Sequence, residues 1–77
     1  MYEVGARVKK VGGSYNKHVY GTIKARALAD DGTMRYWFRF DFPAGMIHIF
    51  SGSNLELMTD DDEVKALKIE EFLAELL

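Results

Sequence analysis

The sequence predicts a mainly β domain, five short strands closed into a small barrel, followed by one C-terminal helix. Three observations predict it. Large apolar residues recur at every second position through residues 33–42, the signature of a strand with one face on a core. Turn-forming clusters recur at Gly12-Gly13-Ser14, Asp30-Asp31-Gly32, Pro43-Ala44-Gly45 and Ser51-Gly52-Ser53-Asn54, which cuts the chain into short segments. After Thr59 the spacing of apolar residues changes to that of a helix. A chain of 77 residues has room for one domain and not for two packed sheets, so short strands with tight turns imply a closed barrel.

The first strand is expected over Arg7 to Val11, with a loop containing Asn16 and Lys17 after the glycine turn. In the second, Val19 to Ala29, the residues Val19, Gly21, Ile23, Ala25, Ala27 and Ala29 share one face. The third, Thr33 to Phe42, places Met34, Tyr36, Phe38, Phe40 and Phe42 on one face and Arg35, Trp37, Arg39 and Asp41 on the other. A two-residue turn at Asp31-Gly32 would pair Ala27 with Tyr36, Ala25 with Phe38, Ile23 with Phe40 and Gly21 with Phe42, small residues against aromatic ones. A slip of one residue would turn every side chain to the wrong face.

Met46 to Phe50 is expected as the fourth strand and Leu55 to Met58 as the fifth, with one 3₁₀ turn between them. The division is therefore residues 1–59 as barrel and residues 60–77 as an acidic amphipathic helix. Thr59 or Asp60 caps that helix, Asp62 and Glu63 fall where capping-box partners belong, and first-turn acids suit the helix dipole. Its stripe, Ala66, Ile69, Phe72, Leu73, Leu76 and Leu77, needs cover from the barrel or from a second chain, because so short a helix is not stable alone.

The chain has no cysteine, so disulfides and thiolate zinc sites are excluded. Its two histidines, His18 and His48, have no partner at metal-ligand spacing, and the Asp60-Asp61-Asp62-Glu63 run lacks the alternation of a calcium loop, so no metal is expected. Self-association remains as support for so small a core. The N-terminal residues do not read as a signal peptide, and no apolar run reaches the ~20 residues of a membrane span, so a cytoplasmic protein with no membrane partner is expected. Charge is divided unevenly. Residues 1–59 carry eight Lys or Arg against five acids, and residues 60–77 two Lys against seven acids. That asymmetry implies that the tail lies against its own or a neighbour's body.

No catalytic residue is assigned, because nucleophile elbows and phosphate-binding glycine patterns are missing. The candidate binding surface is the outer face of the central hairpin, Trp37 with Arg26, Arg39, Arg35 and Lys24. In the expected register Arg26 lies opposite Trp37, where it would stack on the ring, and Lys24 opposite Arg39. Like charges facing each other across strands call for an anionic group to offset them.

One further constellation carries a resemblance. Gly5-Ala6-Arg7-Val8-Lys9-Lys10, Gly12 and Tyr15, Pro43, Ile47-His48-Ile49-Phe50 and Leu55-Glu56 resemble, in order, the core of the plasmid-borne type II dihydrofolate reductases. That family consists of SH3-like barrels in which four protomers surround one pore and catalyse by holding folate beside NADPH. The resemblance spans residues 5–57; the central hairpin is longer here and the acidic helix has no counterpart. It implies that Lys10 attracts the anionic ends of the ligands and that Ile47, His48, Ile49 and Phe50 line the pore. His48 stands where the family has glutamine and Phe50 where it has tyrosine, which removes a neutral donor-acceptor and a hydroxyl.

Three functional readings follow. The first is a self-associating SH3-like binding module, a homo-oligomer that recognises a protein or small-molecule ligand and needs no cofactor. The second is a reductase of the type II kind, with NADPH as cofactor. The third is a nucleic-acid binder that uses the basic hairpin face.

Overall fold

The Asp30-Asp31-Gly32 turn joins β2 (Val19–Leu28) to β3 (Met34–Phe40) in a long central hairpin. A computed structural model describes residues 1–12, 19–42 and 44–76. The expected features at Gly13-Ser14, Tyr15, Asn16, Lys17, His18, Pro43 and Leu77 lie outside the described residues. Around the hairpin stand β1 (Arg7–Lys10), β4 (Ile47–Ser51) and β5 (Leu55–Leu57), with one 3₁₀ turn at Gly52–Asn54 and the helix α1 (Asp60–Leu76). All pairings are antiparallel and the five strands form one sheet in the order β4-β3-β2-β1-β5. Among the described residues no pairing of β4 with β5 closes the sheet.

The expected hairpin register is corrected by the turn. The loop holds three residues, not two: Ala29 donates to the Thr33 carbonyl across Asp30, Asp31 and Gly32, and Gly32 takes a φ of 86° that favours glycine. Asp31 Oδ1 accepts from both the amide and the hydroxyl of Thr33 and holds the loop in this form. One added loop residue moves the register by one, so Arg26 pairs with Tyr36 and Ala25 with Trp37. A bulge at Lys24 moves it once more, and Ile23 pairs with Phe38 and Gly21 with Phe40. The inner face of β3 is as expected, with Tyr36, Phe38 and Phe40 buried, but β3 ends at Phe40 and Phe42 is exposed.

Val8, Ile23, Tyr36, Phe38, Phe40 and Leu55 form the core, and Tyr2, Ala6, Val19, Met34 and Phe50 close over it. Every strand contributes, so the sheet curls about this cluster. Tyr2 ties the chain's first residues across the open end: its hydroxyl donates to the Leu55 carbonyl at 2.7 Å and its amide to the Tyr36 hydroxyl at 3.0 Å. Burial pushes the Tyr2 phenol above its usual range.

Gly21 sits beneath the Phe38 ring, and a Cβ there would lie 2.6 Å from Phe38 Cζ and closer still to the Arg39 carbonyl. Backbone cannot retreat as a flexible side chain can. Gly21→Ala should therefore destabilise the fold by about 1–3 kcal/mol, the cost typical of overpacking. Urea unfolding measures it, and a midpoint equal to that of the unaltered chain would contradict the packing described.

Candidate functional site

Cross-strand neighbours on β2, β3 and β4 define the outer face of the sheet. Ala25, Trp37 and Ile49 form its central row, Thr22, Arg39 and Ile47 the row on one side, and Ala27, Arg35 and Ser51 the row on the other. Two alanines opposite Trp37 and Arg35 leave the large side chains uncrowded. Ile47 and Ile49 are 48% and 54% exposed, and Trp37 is half-buried between them and β2. An apolar strip with a basic border is the result.

The sequence-predicted site residues divide. Trp37, Arg39 and Arg35 share this face, and Lys24, carried out by the bulge, lines a cleft of about 280 Å³ with Thr22, Arg39, Asp41, Ala44 and Glu70. Arg26 does not join them. It is on the Tyr36 side of the sheet, where Nη1 donates to the Tyr2 carbonyl at 2.8 Å and Nη2 lies 3.5 Å from Glu3, so the expected stack on Trp37 is absent. Arg35 Nη2 lies 3.6 Å from Asp31. Lys24 and Arg39 make no side-chain hydrogen bond or ion pair among the described residues.

The acidic helix is tied to its own body at its start through a charge cluster that also borders the outer face, and Ile69 and Glu70 further along still line clefts with Tyr20, Phe42 and Arg39. Arg7 holds Asp41 in a two-pronged contact, Nη1 to Oδ1 and Nη2 to Oδ2, both at 2.6 Å, and donates to the Thr22 hydroxyl at 3.0 Å. The same guanidinium reaches Glu63 from Nη2 at 2.9 Å and from Nε at 3.1 Å. Planar fork geometry allows one arginine to serve both carboxylates, and they hold it in its charged form. Beside it Lys9 Nζ donates to Asp62 Oδ2 at 2.8 Å. Asp62 and Thr59 complete a reciprocal cap: the Asp62 amide donates to the Thr59 hydroxyl, and the Thr59 amide to Asp62 Oδ2. Of the two expected placements of the tail, its own or a neighbour's body, the first turn of the helix takes the former, through Arg7 and Asp41, whose pairing the sequence does not signal. A lone aspartate at a strand end carries no spacing signal.

The pore candidates gather at the β4 edge on two faces. Ile47 and Ile49 face outward with Trp37, whereas His48 and Phe50 pair with Phe38 and Tyr36 on the inner face. Lys10 Nζ lies 5.7 Å from the Phe50 ring centre and donates to the Gly12 carbonyl at 2.6 Å, and the His48 ring lies edge-on to Phe40 at 5.1 Å. Among the described residues no group of His, Asp and Glu could hold a metal ion, and no helix is long and apolar enough to cross a membrane. Comparison with protein-family models, curated proteins and solved structures gives no match.

The Lys9 ammonium, followed by the Thr59 donors, holds the Asp62 carboxyl down at about 2, from an ordinary 3.8. Because folding lowers the value, this carboxylate stabilises the fold above about pH 4, and its contribution is lost as pH falls from about 4 through about 2. Unfolding midpoints should drop over that acid range in the unaltered chain and drop less in Asp62→Asn, which starts lower at neutral pH. Equal acid slopes for the two chains would show that the Asp62 cap does not report on folding.

Proposed function

We propose that the protein is a self-associating SH3-like binding module that recognises a protein segment through the outer face of β3 and β4. The observation that carries this is the exposed pair Ile47 and Ile49 with half-buried Trp37 beside Arg39 and Lys24, two cations with no partner among the described residues. Aromatic and arginine residues around an apolar centre are the side chains that dominate protein interfaces. Barrel character is supported by the strand order and by the Lys10–Phe50 contact, which joins β1 to β4 across the curled sheet. Nucleic acid fits this face less well. Arg26 points to the other side, Arg35 is drawn to Asp31, and Glu70 lines the same cleft as Arg39.

Trp37 is the only tryptophan, so its emission reports on the face directly. As protein concentration rises, the emission should shift to the blue while sedimentation records a heavier species, and Ile49→Asp should remove both effects while the monomer keeps its β-sheet circular dichroism. A single monomeric species with an unchanged spectrum over the whole range would overturn the proposal. Single-stranded oligonucleotide that binds at low salt and is released steeply by added salt would instead support the nucleic-acid reading.

A second reading, a pore enzyme of the type II dihydrofolate reductase kind, draws on the approach of Lys10 to Phe50 with His48 nearby. It expects dihydrofolate-dependent oxidation of NADPH by the purified chain and its loss in Lys10→Met. Absence of turnover together with absence of saturable binding of either ligand discards it.

A further inference from the structure

The apolar stripe of α1 begins against its own sheet and then runs off it. Ala66 is buried, Ile69 still borders Tyr20 and Phe42, and beyond them Phe72 and Leu76 are 60% and 67% exposed. At about 100° per residue, Ile69, Phe72, Leu73 and Leu76 continue the side of the helix that Asp62 and Ala66 turn to the body. The protein measures 44 Å along its longest axis against 25 and 23 Å across, as a helix projecting from a small body requires. A half-covered helix of this length needs cover for the rest of its stripe.

Charge identifies the cover. With Glu70 in its own chain's cleft beside Lys24 and Arg39, the last turns carry Glu71 and Glu75 against Lys68, so a second copy of the same helix would set like charges together. The outer face of β3 and β4 offers the opposite sign and an apolar centre of similar kind, Trp37, Ile47 and Ile49 bordered by Lys24, Arg35 and Arg39. With the helix clamped to Arg7 and Lys9 at its start, Ile47 and Ile49 of that centre stay exposed among the described residues. We infer that the last turns of α1 dock on the outer face of β3 and β4 of a second copy, and that the second copy returns the contact. A standard interface takes roughly 800 Å² from each partner, and a two-fold exchange supplies it in two halves. The inference rests on the outer face being a recognition surface and names its occupant.

The test uses two full-length variants, each altered at exposed positions. Ile49→Asp with Arg39→Glu spoils the face, and Phe72→Asp with Leu76→Asp spoils the helix. Sedimentation should find each variant alone with dimer affinity lowered about tenfold or more. Mixed in equal amounts they should recover a heavier species, because the sound helix of the first variant meets the sound face of the second. Since aspartate near a helix end could unwind it, Glu71→Lys with Glu75→Lys repeats the helix arm with residues that favour helix.

Loss of association in the face variant alone would leave the recognition face standing and overturn its assigned occupant. Loss in the helix variants alone would overturn the inference in favour of helix-to-helix pairing. Loss in both without recovery on mixing excludes the exchange. If neither variant alters the sedimentation, the inference and the recognition reading both fall.

Discussion

One guanidinium joins parts of the chain that no backbone pairing brings together. Arg7 belongs to β1, Asp41 to the segment after β3 and Glu63 to the first turn of α1, and all three meet at the edge of the outer face. Arg7 and Asp41 are each about a quarter to a third exposed, so the fork is partly shielded from water and is stronger than a fully solvated ion pair. Removal of Arg7 would leave the Asp41 and Glu63 carboxylates without their shared cation. With Lys9 and Asp62 alongside, the start of the helix is pinned to β1, its next turns border Tyr20, Phe42 and Arg39, and Ile47 and Ile49 stay exposed.

Much of the architecture was legible in the sequence. Alternation in β3 identified Tyr36, Phe38 and Phe40 as core, and the spacing after Thr59 identified α1 and its cap. Both signals depend on periodicity that neighbouring residues repeat, so each residue confirms the next. Register was less legible. It depended on whether the turn held two or three residues and on one extra residue at Lys24, and neither leaves a mark in the polar pattern. Alanine at positions 25, 27 and 29 is small enough to sit on either face, so the sequence offered no penalty for the wrong phase. Phe42 was drawn into the core by its place in the alternation, although the strand had already ended.

The same two local events decide the character of the candidate site. In the register without them, Arg26 would stand beside Trp37 and the face would be a cationic patch. With them, Ala25 takes that place and Arg26 ties the first residues of the chain to the body through the Tyr2 carbonyl. The face becomes apolar at its centre and basic only at its border, a surface better matched to an amphipathic acidic segment than to a polyanion. The chain supplies such a segment itself in the last turns of α1.

Among the described residues β4 is also one of the two edge strands of the sheet, and its residues Ile47-His48-Ile49-Phe50-Ser51 include no lysine, acid or proline. Edges of this composition are templates for further strand addition, and natural sheets usually guard them with charge. The isoelectric point of about 5.6 places minimal mutual repulsion in mildly acidic buffer. Among the described residues that strand is therefore the edge least guarded by charge against addition of a further strand.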